Sequence, residues 1–145
     1  MSKSTQTFAP SAGNGNAGGG YPSARADRTE WILARRPNLD ATRRALPTDQ
    51  PSLWLEEVEP DDRGRAATVL TLFLTNPECP WRCLMCDLWR HTLPRTTPAA
   101  VGAIPAQIES AVRAWHPRGN LPGGRHIKLY NAGSFFDRGA IPPED

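Results

Sequence analysis

The feature that most constrains the fold is an apolar segment in the middle of the chain, AATVLTLFLTN, which runs directly into a cluster of cysteines. Residues Val69 to Leu74 are nearly continuous in Val, Leu, Phe and Thr rather than alternating with charged residues. Such a run is typical of a strand that is covered on both faces in a parallel sheet. We therefore predict a strand over Ala67 to Thr75 whose carboxyl end leads into the cysteine loop, where α/β proteins build their sites.

The cysteines themselves predict a metal site. All three, Cys79, Cys83 and Cys86, lie in the segment CPWRCLMC, and an odd number cannot be fully paired in disulfides. The chain shows no signal-peptide apolar region and no run of about 18 apolar residues, so we predict a cytoplasmic protein with no membrane partner. In that reducing compartment a tight cysteine cluster indicates a metal or catalytic site.

The charge balance leaves two interpretations of the N-terminal region open. With 17 basic and 15 acidic residues the formal net charge is only +2, which forces neither a nucleic-acid nor a membrane partner. The segment from Arg25 to Arg44 nevertheless contains six arginines and only three acidic residues. A charge run of this size is usually a solvated helix face, and the alternative is an arm that contacts RNA.

The patterns on either side of the apolar segment predict a hairpin followed by one βαβ unit. A first strand, Leu53 to Val58, is joined to the buried strand by the turn residues PDDRG. Apolar residues spaced by three and four positions from Ile104 to Trp115 predict an amphipathic helix. A further strand, Ile127 to Tyr130, ends in the small residues of Asn131 to Ser134.

Less order is predicted before the hairpin. Residues 1–24 are rich in Gly, Ser, Asn and Ala, so they cannot bury enough apolar surface to fold, and we predict a disordered tail. Asp27 to Leu46 predicts a short helix, a break at Pro37 and a second helical turn.

Two kinds of metal centre suit three thiolates. Zinc and iron–sulfur centres normally take four ligands, so Cys79, Cys83 and Cys86 leave one position open. His91 lies five residues beyond Cys86 and could complete a Cys₃His zinc site. A 4Fe-4S cluster held by three cysteines would instead leave one iron free to be chelated by a small molecule.

The segment CPWRCLMC after VLTLFLTN resembles the C-x₃-C-x₂-C loop of the radical S-adenosylmethionine enzymes, which follows the first strand of a partial (β/α)6 TIM-type barrel. The flanks NPECPWRCLMCDLW and KLYNAGSFFD are most similar to the branch that is related to the elongator catalytic subunit and includes the archaeosine-biosynthesis radical protein. The resemblance implies that Cys79, Cys83 and Cys86 bind a 4Fe-4S cluster and that S-adenosylmethionine chelates its free iron. It also implies reductive cleavage to a 5′-deoxyadenosyl radical.

The resemblance further implies cofactor contacts by the backbone of Met85, at the adenine, and by Asn131, Ala132, Gly133 and Ser134, at the methionyl amino group. Two of these positions depart from the family pattern, because the family usually has an aromatic residue at the place of Met85 and a Gly-Gly-Glu-like segment at the place of Asn131 to Ser134. Expected partners are S-adenosylmethionine, an electron donor such as a flavodoxin or ferredoxin, and tRNA as a candidate substrate. No catalytic residue is assigned, since substrate residues in such barrels come mainly from later strands.

We therefore predict an α/β protein: the N-terminal portion of a partial (β/α)6 TIM-type barrel, preceded by a β-hairpin and a disordered tail. The expected divisions are the tail 1–24, a helical and hairpin extension 25–65, and an incomplete radical S-adenosylmethionine core 66–145. Six βα units need about 190 residues, so the 145-residue chain is expected to be an inactive fragment of a longer enzyme. The alternative is a non-enzymatic Cys₃His zinc module, with His91 as fourth ligand and an arginine-rich arm that contacts RNA.

Overall fold

The computed structural model describes residues 20–145 and divides the chain into two compact units, residues 1–38 and 39–145. Residues 1–19 of the predicted tail lie outside the described residues. In the described chain no helix has the length and apolar character that crossing a membrane requires.

The first unit contains helix α1, Arg25–Arg35. Asp27 in the first turn and Arg35 in the last turn suit the helix dipole. The helix ends at Arg36, which is extended because Pro37 follows it. On its surface Tyr21 meets Trp31 edge to face with ring centroids 5.5 Å apart. The predicted helix and its break at the proline are confirmed.

The second unit is built on a three-stranded mixed sheet. Its elements are helix α2, Asp40–Arg44, strand β1, Leu53–Pro60, strand β2, Ala66–Phe73, a 3₁₀ turn, Leu88–His91, helix α3, Ala103–Ala114, and strand β3, Arg125–Tyr130. The strand order is β1-β2-β3. This arrangement confirms the α/β class, the hairpin and the βαβ unit.

Strand β2 is the centre of the sheet and pairs on both sides. It is antiparallel to β1, with Leu53 opposite Phe73. It is parallel to β3, with Phe73 beside Tyr130. The turn between β1 and β2 uses Asp61, whose carboxylate accepts the backbone N–H groups of Arg63 and Arg65 at 2.9 and 2.8 Å. These bonds and the Arg65 guanidinium hold the pKa of Asp61 below its usual value.

Helix α3 covers one face of the sheet. Leu70, Leu72 and Leu74 of β2 and its extension are fully buried against Ile104 and Ala111 of the helix. The opposite face carries polar side chains, where Lys128 of β3 pairs with Glu59 of β1, which raises the pKa of Lys128. Residues 67–72 of β2 are all buried, so side chains on both faces of this central strand are shielded, although α3 covers only one face.

Candidate metal and cofactor site

The carboxyl ends of two parallel strands meet at one edge of the sheet. Beyond β2 the backbone N–H of Leu74 donates to the carbonyl of Tyr130 at 2.8 Å, so the two strands leave the sheet side by side. The Asn76 side-chain oxygen then accepts the backbone N–H of Ala132 at 3.5 Å. The two loops that the sequence singled out, one carrying the cysteines and one following β3, are therefore neighbours.

Gly133 brings the second loop against the first cysteine. A Cβ built on Gly133 would lie 3.3 Å from the Cβ and 3.4 Å from the Sγ of Cys79. The φ angle of Gly133 is +130°, which disfavours any other residue. The backbone conformation therefore favours glycine here, and a side chain at this position would also crowd Cys79.

The cysteine loop spans residues 78–93 and is closed at its base. The backbone N–H of Leu93 donates to the carbonyl of Asn76 at 3.0 Å, and the N–H of Glu78 donates to the carbonyl of Leu93 at 3.2 Å. These bonds form a short parallel bridge between Pro77 and Leu93. Because its two ends are held together, the loop projects from the sheet edge as one compact segment.

All three thiols in this loop are free. Cys79 and Cys86 are half-buried and Cys83 is exposed, and the Cys86 N–H donates to the Cys83 carbonyl at 3.2 Å. Within residues 20–145 no three side chains of His, Cys, Asp or Glu form a group that could hold a metal ion. The cysteines share a loop, but their side chains do not converge on one point.

Asn131 carries a buried donor that its surroundings leave unused. Its side chain lies at the carboxyl end of β3, the residue is only 8% exposed, and its Nδ2 has no hydrogen-bond partner among residues 20–145. A buried amide donor without an acceptor costs about 1–3 kcal/mol. Such an atom is suited to an acceptor that a bound molecule supplies.

The remaining residues of the predicted cofactor set differ in accessibility. Met85 is 89% exposed. Ala132 is buried beside Asn131, whereas Gly133 and Ser134 are exposed. The Ser134 hydroxyl accepts the backbone N–H of Phe136 at 3.1 Å. The structure thus brings Asn131 to Ser134 next to the cysteine loop at Cys79 and leaves the Met85 side chain in solvent.

His91 lies on an aromatic cluster at the same sheet edge. Its ring is 5.3 Å from that of Phe73, which also stacks on Tyr130 at 5.3 Å. Burial lowers the pKa of His91 and outweighs the opposing effect of the Asp87 carboxylate. The neutral imidazole is therefore favoured.

Two side chains at the loop base have roles that the sequence did not reveal. Arg43 of α2 is 6% exposed and bonds to Glu78 and to Thr92, which flank the loop. The interpretation of the Arg25 to Arg44 run as a solvated face or RNA arm is wrong for this arginine. No pattern near Arg43 signals its burial, because its partners come from distant positions.

Gln107 of α3 is the second of these side chains. It is fully buried, accepts the Thr75 N–H at 2.7 Å and donates to the Thr75 carbonyl at 2.8 Å. A polar residue on the apolar face of a helix is the signal that could have drawn attention to it.

Backbone strain marks the middle of the Cys79–Cys83 segment. Arg82 has a φ of +48°, and it is the one non-glycine residue with positive φ among residues 20–145. This conformation costs about 1–2 kcal/mol in a non-glycine residue. Its Nε lies 3.6 Å from an oxygen of Glu78.

Comparisons of the chain with models of protein families, with curated proteins and with solved structures find no match.

Proposed function

We propose that this chain is a radical S-adenosylmethionine enzyme, or the N-terminal part of one, which holds a 4Fe-4S cluster through Cys79, Cys83 and Cys86. The observation that carries the proposal is the contact between the cysteine loop after β2 and Gly133 in the loop after β3. Parallel neighbouring strands of an α/β sheet bring their carboxyl-end loops to one site. A βαβ unit with its helix on one face is also the repeating unit of a partial (β/α)6 barrel.

The residues present fit this cofactor pair in their chemistry. Three free thiols in one short loop are the donors that iron–sulfur clusters take. The thiols are not gathered in the metal-free chain, and metal sites often form only as the metal binds. The buried Nδ2 of Asn131, with no acceptor in the described chain, supplies a donor beside that loop.

Cys79, Cys83 and Cys86 would hold the cluster, which when bound would supply the electron for reductive cleavage of S-adenosylmethionine. This chain's own residues bind and orient the cofactors. The Asn131 amide is suited to donate to the methionyl carboxylate, and the backbone at Met85 to contact the adenine. A flavodoxin or ferredoxin is the proposed electron donor, and tRNA is the candidate substrate.

Anaerobic reconstitution with iron and sulfide tests the cluster. We expect about four irons and four sulfides per chain, as a 4Fe-4S cluster requires, with the broad visible absorption of thiolate-to-iron charge transfer. Cys83→Ala should abolish this loading, because two thiolates remain. His91→Ala is the matched control and should load normally.

Two results would contradict the proposal. Stoichiometric zinc with no uptake of iron, lost in His91→Ala, would support the Cys₃His zinc module instead. A loaded protein that neither binds S-adenosylmethionine nor releases 5′-deoxyadenosine from it after reduction by dithionite would retain the cluster but lose the assigned cofactor chemistry, since even an inactive fragment should bind the cofactor.

A further inference from the structure

One buried guanidinium connects the two ends of the cysteine loop. Nη2 of Arg43 donates to a carboxylate oxygen of Glu78 at 2.8 Å and to the hydroxyl of Thr92 at 3.0 Å. It also donates to the Leu93 carbonyl at 3.1 Å, and Nε donates to the Thr92 carbonyl at 3.0 Å. The guanidinium carbon lies 5.6 Å from the ring of Trp89, which is buried in the same loop.

The partners of Arg43 lie on either side of the cysteines. Glu78 immediately precedes Cys79, and Thr92 follows Cys86 by six positions. The two ends of the loop are already joined to each other by backbone bonds at Leu93. Arg43, which belongs to the separate element α2, adds side-chain bonds to both ends. Arg43 therefore connects α2 directly to both ends of the loop.

Glu78 extends the connection to the cysteines themselves. One carboxylate oxygen bonds to Arg43, and the other lies 3.6 Å from Nε of Arg82, between Cys79 and Cys83. The carboxylate is almost fully buried, with a hydrogen bond from Arg43 on one oxygen and the longer ion-pair contact of Arg82 on the other. The chain of contacts runs from α2 through Glu78 to the strained residue of the C-x₃-C segment.

A buried ion pair is weak evidence for stability, because desolvation offsets much of its attraction. The planar fork of arginine, in contrast, fixes several acceptors in one geometry, which lysine cannot reproduce. Four bonds from one guanidinium to both ends of the cysteine loop therefore indicate that Arg43 sets the geometry of that loop.

We propose that Arg43 is a positioning residue: through Glu78, Thr92 and Leu93 it fixes the base of the cysteine loop, so that the thiols of Cys79 and Cys86 stay half-buried and in place to gather as a metal binds. The claim that the thiols serve a metal centre rests on the proposed function. The claim that Arg43 fixes the position of the loop does not depend on it.

The first experiment measures loop position in the metal-free, reduced full chain. Each thiol is alkylated with iodoacetamide under pseudo-first-order conditions, and the three rates are read by peptide mass spectrometry. In Arg43→Met we expect the Cys79 and Cys86 rates to rise about tenfold through easier local opening, while exposed Cys83 changes little. Arg44→Met, at the next and exposed position of α2, should leave all three rates unchanged.

Milder variants separate loop position from general unfolding. Thr92→Val removes one acceptor of Arg43, together with the bond that the Thr92 hydroxyl donates to the Trp89 carbonyl at 2.6 Å. Arg43→Lys keeps the charge without the planar fork and leaves the Thr92 bond to Trp89 in place. Both variants should raise the Cys79 and Cys86 rates with an unaltered far-ultraviolet circular dichroism spectrum. If these two folded variants show the rates of the original protein, the proposal is overturned. This holds even if Arg43→Met fails to fold.

Cluster loading then tests the second half of the proposal. The same folded variants should bind less iron, and the electron paramagnetic resonance signal of the reduced centre should broaden or split as the cysteine geometry varies. If the original protein binds no iron but the alkylation rates respond as expected, the proposed function fails and the positioning role stands. If it binds iron and neither reactivity nor signal changes in the variants, Arg43 has no positioning role.

Discussion

At the scale of single residues, the polar side chains near the cysteine loop differ in how fully they are bonded. Arg43 makes four hydrogen bonds, whereas the Nδ2 of Asn131 makes none although it is buried. Arg82, which immediately precedes Cys83, adds a strained φ of +48°. Unpaired donors and strained backbone persist where function maintains them, so both features favour a binding role for this edge of the sheet.

Asn131→Leu tests that interpretation. Leucine has a similar shape and no donor, so the ligand-free variant should be more stable than the original protein by about 1 kcal/mol, as the unpaired amide is removed. The same change should weaken S-adenosylmethionine binding to the reconstituted protein. Urea unfolding and isothermal titration calorimetry measure the two effects.

Asn120→Leu, a change at an exposed position, is the control for added apolar surface. Destabilisation by Asn131→Leu would mean that Nδ2 is satisfied in solution. Unchanged affinity for S-adenosylmethionine would remove Asn131 from the cofactor site.

At the scale of elements, helix α3 does more than cover the sheet. The side chain of Gln107 bonds to both the N–H and the carbonyl of Thr75, as a neighbouring strand would. It also donates to the Thr48 carbonyl at 3.0 Å. These bonds hold the segment between β2 and the cysteine loop. The helix thus sets where the loop begins.

Gln107→Leu should therefore be costly although leucine suits an apolar helix face. It leaves the buried N–H and carbonyl of Thr75 unpaired, and we expect a loss of about 2–4 kcal/mol in the free energy of unfolding. Glu109→Gln, on the exposed side of the same helix, should cost less than about 0.5 kcal/mol. Equal melting temperatures for the two variants would show that Thr75 finds other partners.

The elements were largely predictable, because their signals are local. The strand periodicity, the PDDRG turn and the apolar spacing of α3 each depend on neighbouring residues, and the observed bounds, Leu53–Pro60, Ala66–Phe73 and Ala103–Ala114, agree with them to within about two residues. Strand β3 begins two residues earlier than predicted, at Arg125, since its pairing with Thr68 extends the ladder.

At the scale of the whole molecule, the residues of the candidate site belong to the unit of residues 39–145. Residues 1–19 have few large apolar side chains. Removing residues 1–19 should thus leave iron loading and the thermal midpoint unchanged, because such a composition contributes little to a core. Loading assays and calorimetry on the shortened and full chains test this, and a marked fall in loading would show that these residues support the site.

The sequence by itself determined which segments are strands and helices and that three thiols follow the most buried strand, because burial patterns and cysteine spacing are written along the chain. Only the tertiary structure decided that Gly133 lies against Cys79 and that Arg43, 49 positions before Thr92, bonds to it. These contacts depend on the parallel register of β2 and β3 and on where α2 packs. Register and packing are set by the summed fit of many side chains, so no short pattern in the sequence specifies them.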